Sequence, residues 1–335
     1  MMEAFIHNIP KAELHVHIEG TLEPEMMMKL AARNHMKLPF ESAADIRKAY
    51  DFKNLQSFLD IYYRGLEVIV TENDFYDLTL AYLQKASEQN IRHAEIFFDP
   101  QAHTARGIEF KTVVRGIHQA MLDAERHLGL SSKLIMCILR HLSVADAMDT
   151  LEMAKAFKNT ITAIGLDSSE LGHPPKKFVS VFNRARRWGL KTVAHAGEEG
   201  PPDYIWQALK LLRVERIDHG IRCLEDTGLV EYLVRNQVPL TVCPISNVKL
   251  NIFNLMKQHN LKQMIELGLC VTINSDDPAY FGGYLEENLL SLQQAHGLNM
   301  DDIFKLSHSA FKASFLNPVD KRKYLNELDE FVSTV

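Results

Sequence analysis

The sequence predicts an α/β chain folded as a (β/α)8 TIM barrel with an enlarged helical insertion after strand 1. Three observations predict it. From residue 91 onward, short apolar runs alternate with amphipathic helical patterns. The runs are apolar throughout, as strands of a parallel sheet covered on both faces are. With the stretch at 12–20 they number eight, each followed by helix, and eight such units close a barrel.

The first strand is Ala12-Glu13-Leu14-His15-Val16-His17-Ile18-Glu19-Gly20. Successive strand side chains point to opposite faces, so His15 and His17 point the same way, about 7 Å apart along the chain. Residues 22–90 read as the insertion. Pro24 stands at a helix start, where its missing N–H costs least. Met26, Met27, Leu30 and Ala31 form one helical stripe, and Phe52, Leu55, Phe58, Leu59, Tyr62 and Tyr63 a second. Thr71-Glu72-Asn73-Asp74 resembles a capping box before a helix running to about residue 89. The second stripe either roofs a pocket or packs as plain core. Later strands are expected at 92–98, 133–140, 163–168, 191–195, 216–219, 240–243 and 270–274. Helices are expected near 110–129, 144–158, 175–188, 202–213, 225–236 and 257–267, and on to the C-terminus. Gly189 and Gly268 close two of them. No linker, internal repeat or low-complexity segment divides the chain, so 1–335 reads as one barrel domain carrying the 22–90 insertion as a lid.

Bulk properties narrow the class. The 335 residues are 46% hydrophobic and 24% charged, enough to bury a large core. A net charge of −6 argues against a general nucleic-acid or anionic-membrane surface. Cys137, Cys223, Cys243 and Cys270 are far apart and form no disulfide framework. Residues 1–10 carry no apolar segment of signal-peptide length, and no apolar run approaches the roughly 18 residues that span a bilayer. The expected compartment is the cytoplasm and the expected partner a small molecule; the oligomeric state is left open.

In such a barrel the active site lies at the C-terminal strand ends, and the ligand-type residues cluster there. They are His15 and His17; Asp167-Ser168-Ser169-Glu170; His195-Ala196-Gly197-Glu198-Glu199-Gly200; Asp218-His219-Gly220; and Asn274-Ser275-Asp276-Asp277-Pro278. Three imidazoles and one carboxylate suit Zn²⁺ with an open position for water. His15, His17, His195 and Asp276 are therefore the expected ligands of one Zn²⁺ per chain. The alternative for His195 is a buried imidazole satisfied by a backbone carbonyl; for Asp276, a turn residue before Pro278. Glu198, three residues past His195 on a glycine-containing turn, can project over the metal as general acid/base, with Glu199 as the competing candidate. His219 can orient the metal-bound water, whose pKa zinc lowers toward neutrality. Asp277 can hydrogen-bond the substrate. No lysine stands at the end of strand 4 to bridge two metals, and the Pro-Cys-x-x-Cys signature of other zinc base deaminases is missing.

Five motifs carry a resemblance: Pro10-Lys11-Ala12-Glu13-Leu14-His15-Val16-His17 with Glu19-Gly20; His195-Ala196-Gly197-Glu198; Asp218-His219-Gly220; Val242-Cys243-Pro244 with Ser246-Asn247; and Ser275-Asp276-Asp277-Pro278. In this order, across nearly the whole chain, they resemble the adenosine/adenine deaminase family of the amidohydrolase superfamily. The resemblance implies zinc-dependent replacement of a purine 6-amino group by oxygen. It implies the same zinc ligands, Glu198 as proton donor to purine N1, His219 as the water-orienting histidine, and Asp277 as the partner of N7.

The choice of purine turns on other residues. Adenosine deaminases of this family carry a glycine where Glu170 stands and an aspartate where Glu19 stands, so the chain is more similar to the adenine deaminase branch. A carboxylate at Glu170 beside the N3/N9 edge would accept an N–H from the free base and penalise a ribosylated one. The alternative for Glu170 is an ion pair with Lys176 or Lys177. Glu19, Ser169, Glu170 and Asp277 are the expected substrate contacts. The expected reaction is adenine to hypoxanthine and ammonia, with adenosine or N6-substituted adenines as alternatives.

Overall fold

The computed structural model describes residues 1–334. Its strands are β1 Lys11–His17, β2 Ile91–Phe98, β3 Ser131–Leu139, β4 Ile161–Asp167, β5 Lys191–Ala196, β6 Arg216–His219, β7 Leu240–Val242 and β8 Val271–Ile273. They pair in parallel in sequence order as one eight-stranded sheet. Helices cover its outer face, as the uninterrupted apolar strands require. This is the (β/α)8 barrel that the apolar runs predict.

The barrel closes through the backbone of Asp276. The N–H of His17 donates to the Asp276 carbonyl (2.9 Å), and the N–H of Asp276 donates to the His15 carbonyl (3.1 Å). Below this point the side chain of Asn274 accepts the Leu14 N–H (2.8 Å), replacing a ladder bond. β7 stops at Val242 and the next helix, Pro244–Lys249, begins one residue past Cys243. Pro244 has no N–H to extend the ladder, but its fixed φ suits a helix start.

Between β1 and β2 lies the insertion. After the N-terminal helix α1 (Met2–Asn8), it contains α2 Pro24–Arg33, α3 Ala43–Ala49, α4 Leu55–Gly65 and α5 Glu72–Glu88. The Thr71/Asp74 capping box opens α5, and a second box, Asn54/Ser57, opens α4. The α4 stripe buries Leu55, Phe58, Leu59 and Tyr62. The Phe58 ring packs on Phe52 (5.3 Å between centroids) and on Phe281 beyond β8 (4.7 Å), so the insertion is sewn to the barrel mouth by aromatics. The helical pattern expected at 202–213 is split. A helix at Pro202–Gln207 runs into a wider π-helical turn at Ala208–Leu212. No helix of the described residues is long and apolar enough to cross a membrane.

Candidate active site

Four side chains from three strand ends converge at the mouth. His15 and His17 stand on β1, with ring centroids 5.3 Å apart, and Phe97 of β2 packs edge-on against His15 at 4.8 Å. His195 stands on β5 and Asp276 three residues past β8. His17 Nε2 lies 3.2 Å from His195 Nε2. Asp276 Oδ1 lies 3.1 Å from His15 Nε2 and 3.5 Å from His17 Nε2. Asp276 has φ +66°, His219 φ +62° and Ser168 φ +72°. Left-handed backbone is rare outside glycine and gathers at functional sites.

The far side of each ring fixes its tautomer. His195 Nδ1–H donates to the Leu166 carbonyl (3.0 Å). His15 Nδ1–H donates to Thr241 Oγ1 (2.9 Å), whose own hydrogen goes to Asp218 Oδ1 (3.0 Å). Both Nε2 atoms are therefore lone pairs, and His15 Nε2 has no hydrogen-bond partner among the described residues. Burial pushes His17 down to about 4 and His195 well below the usual imidazole range, so the rings are neutral at pH 7, the form that binds a metal. Burial works to raise Asp276, but His15 and His219 outweigh it and hold the carboxylate well below its usual range. Convergent lone pairs around a carboxylate, all buried, fit a cation. The ligand atoms of His15, His195, His219 and Asp276 lie within 4.8 Å of one another, with His17 grouped with Asp276 and Asp277.

Above this cluster is a small pocket lined by His17, Asp167, Glu198, His219, Asp277 and the apolar Leu55, Phe58, Leu250 and Phe281, among others. His219 Nε2 lies 3.6 Å from Glu198 Oε1 and 3.8 Å from Asp276 Oδ2. Asn247 Nδ2 approaches His219 Nδ1 (3.4 Å), while Asn247 Oδ1 meets His259 Nε2 (3.2 Å). This leaves the His219 proton on Nε2, toward the pocket. Burial, then Asp276 and Glu170, push the Glu198 carboxyl well above its ordinary range. Burial, then Asp276 and Glu198, do the same to Asp277. Asp277 lies so close to Gly20 that a β-carbon there would sit 2.0 Å from Oδ1, so position 20 admits only glycine.

Comparison with known proteins decides the family. The adenosine deaminase family model matches residues 10–331. The chain belongs to the adenosine deaminase family. A curated adenine deaminase of Chlorobium phaeobacteroides is 58% identical over 330 residues, 98% of either chain. The crystal structure of adenine deaminase from Arthrobacter aurescens is 47% identical, with a TM-score of 0.96, covering 97% of this chain and 99% of that one. An amidohydrolase from Burkholderia ambifaria, solved with bound Zn, is 26% identical with a TM-score of 0.90, covering 99% and 94%.

In this member of the adenosine deaminase family, three expected substrate contacts stand elsewhere. Glu170 is fully buried. Its Oε1 accepts the N–H of Gly197 (2.7 Å), and its Oε2 those of Glu198 (3.1 Å), Glu199 (2.8 Å) and Gly200 (2.7 Å). It is not on the pocket wall. Nor does it pair with Lys177, which donates to the carbonyls of Arg140 and Leu142. Ser169 Oγ donates to Gln56 Oε1 on α4 (2.8 Å), and its neighbour Ser168 lines the pocket instead. Glu19 Oε1 accepts the Asp99 N–H and His103 Nε2–H, both at 2.9 Å. Arg106 donates to His103 Nδ1 (2.8 Å), which sets that tautomer.

Residues to which the sequence reading gives no role of their own complete the site. Thr241 and Asp218 orient His15, and Asn247 orients His219. Asp167 Oδ2 lies 3.6 Å from His17 Nδ1, and His17, Asp99 and Asp167 form one buried group. A signal for Asp99 existed. Asp99-Pro100 repeats the Asp277-Pro278 pattern, an acid at a strand end before a helix-opening proline.

Proposed function

We propose that the chain hydrolyses free adenine to hypoxanthine and ammonia, with one Zn²⁺ per chain held by His15, His17, His195 and Asp276. The observation that carries this reading is the meeting, in one small pocket, of a proton-holding Glu198 and the buried imidazole–carboxylate cluster. The names of full-length relatives support it, as does the zinc in a 26% identical amidohydrolase. When bound, zinc acts as a Lewis acid and lowers the pKa of a coordinated water toward neutrality.

The chain's own groups do the rest. Glu198, kept protonated by its burial, delivers a proton to purine N1 as water adds at C6, the general-acid role its raised range suits. His219 points Nε2–H toward the pocket and orients the attacking water. Asp277, also proton-holding, meets N7. Leu55, Phe58, Leu250 and Phe281 wall the ring and exclude water, which strengthens each polar contact. Glu198, left as a carboxylate, takes the proton that the adding water releases and passes it to the C6 amino group, so that collapse of the adduct expels ammonia. The preference for the base over the nucleoside draws its support from the relatives and not from a Glu170 contact. The compartment we propose is the cytoplasm, a reading that the four unpaired cysteines support.

The test is ammonia release by zinc-loaded protein from adenine, adenosine and N6-methyladenine, with zinc measured per chain. Adenine is expected to turn over fastest, with a stoichiometry of one zinc and loss of activity on chelation. Faster release from adenosine or from the N6-methyl base overturns the substrate assignment.

A further inference from the structure

The loop after β4 carries a carboxylate that lies off the pocket wall and forms no ion pair among the described residues. Glu170 instead lies under the turn that follows β5, where four consecutive peptide N–H groups, of Gly197, Glu198, Glu199 and Gly200, point at its two oxygens at 2.7–3.1 Å. A carboxylate has about four acceptor sites, so these donors fill its usual complement. Successive N–H groups curled round one anion form a nest, which binds negative charge without any cationic side chain. Charge-assisted bonds of this kind are roughly twice as strong as neutral ones.

The rest of the turn is clamped from its carbonyl side. Arg140 Nη1 donates to the His195 carbonyl (2.7 Å), the Arg222 N–H donates to the Gly197 carbonyl (3.0 Å), and Arg222 Nη1 donates to the Glu199 carbonyl. Two glycines make the approach possible. Gly197 adopts φ +73°, and a β-carbon on Gly200 would lie 2.4 Å from Glu170 Oε1. The turn so held carries Glu198, the proposed proton donor, between two of the nest's own N–H groups.

We infer that Glu170 is a positioning residue for Glu198, an internal anion that shapes the 197–200 turn and so sets where the acid's side chain enters the pocket. It acts through the backbone and not through the purine. The inference rests on the proposed acid role of Glu198. Gln at position 170 keeps the shape but loses one acceptor oxygen and turns an NH2 against N–H donors. Displacing a catalytic group by about 1 Å costs on the order of 10²-fold in rate.

The experiment compares wild type, Glu170→Gln, Glu170→Asp and Gly200→Ala, the last keeping the Glu170 side chain unaltered but pushing its carboxylate off the turn. Steady-state kinetics on adenine and adenosine, zinc content and amide hydrogen exchange are measured on each folded protein. Glu170→Gln and Gly200→Ala are expected to lose about 10²-fold in kcat, with KM for adenine within about threefold, zinc retained and the adenine-to-adenosine ratio unchanged. Glu170→Asp, which keeps the charge, should recover part of the loss. Exchange at amides 197–200 should speed up tenfold or more in Glu170→Gln while β5 stays protected. A kcat within threefold of wild type, a rise in adenosine use, or unchanged exchange at 197–200 overturns the inference. Failure of the wild type to release ammonia from adenine refutes the functional reading alone, and the exchange result still decides the role of Glu170.

Discussion

At the scale of single residues, two of the proposed ligands, His15 and His195, are held by a hydrogen bond at the second ring nitrogen. His15 is the clearest case, because its Nδ1–H has one acceptor, Thr241 Oγ1, which is itself oriented by Asp218. Groups that hold a ligating imidazole by its second nitrogen fix both tautomer and ring plane, and losing one typically costs 10–100-fold in metal affinity. Thr241→Val keeps the shape and removes the acceptor. It is expected to weaken zinc binding by about 10–100-fold, measured by competition with a chelator of known affinity, while leaving the fold intact by circular dichroism. Affinity within threefold of wild type would show that the Thr241 contact does not tune the site. His195 carries the same lesson in another form. The carbonyl-bonded histidine and the metal ligand were posed as alternatives, yet the geometry offers both at once, one per nitrogen.

At the scale of elements, α4 and the residues ahead of it are latched to three different strand-end loops. Tyr63 OH donates to Ser168 Oγ (3.0 Å) and Gln56 accepts from Ser169 Oγ after β4; the Leu55 N–H meets Glu199 Oε1 (3.4 Å) after β5; and Asn251 Nδ2, beyond β7, donates to the Phe52 carbonyl (3.0 Å) ahead of the helix. Tyr63→Phe removes one hydroxyl and nothing else. A net hydrogen bond is worth about 1 kcal/mol, so KM for adenine should rise about fivefold with kcat within twofold, read by steady-state ammonia release. An unchanged KM would mean that this latch does not hold α4 over the pocket. The eight strands and α4 were legible because period and apolarity are local properties of sequence. The split of the 202–213 helix was not, since Ala208–Leu212 changes helix type without any Gly or Pro to mark it. The direction of Glu170 is illegible for a related reason. Its position after β4 could be placed from sequence, but its direction depends on how the β4 and β5 loops fold against each other, which no periodicity encodes.

At the scale of the whole molecule, the barrel interior holds a charged spine beneath the site. Arg216 and Glu95 are both fully buried, with Nη1 to Oε2 at 2.5 Å. Arg216 also donates to the Leu14 carbonyl (2.9 Å), lies 3.6 Å from Asp218 and stacks over Phe315 at 4.8 Å. Glu95 further accepts from His93 and from the Phe315 N–H. Burial acts to raise the Glu95 pKa, but Arg216 and His93 overcome it and bring the group down to about 2 from an ordinary 4.5. A depressed folded value means that the unfolded chain takes up the proton first as pH falls. The contribution of Glu95 is therefore complete above about pH 4.5 and lost progressively down to about 2. Glu95→Gln leaves the Arg216 charge buried with only the more distant Asp218 to answer it, and stranding one partner of a buried pair costs about 3–5 kcal/mol. The variant should unfold at markedly lower urea concentration at pH 7, and its stability should fall less steeply than wild type between pH 4.5 and 2. The double replacement Glu95→Met with Arg216→Met removes both charges and should recover much of the loss, since an apolar pair of similar volume is often as stable as the ion pair it replaces. A single Glu95→Gln variant within about 1 kcal/mol of wild type would show that the spine does not depend on this pair.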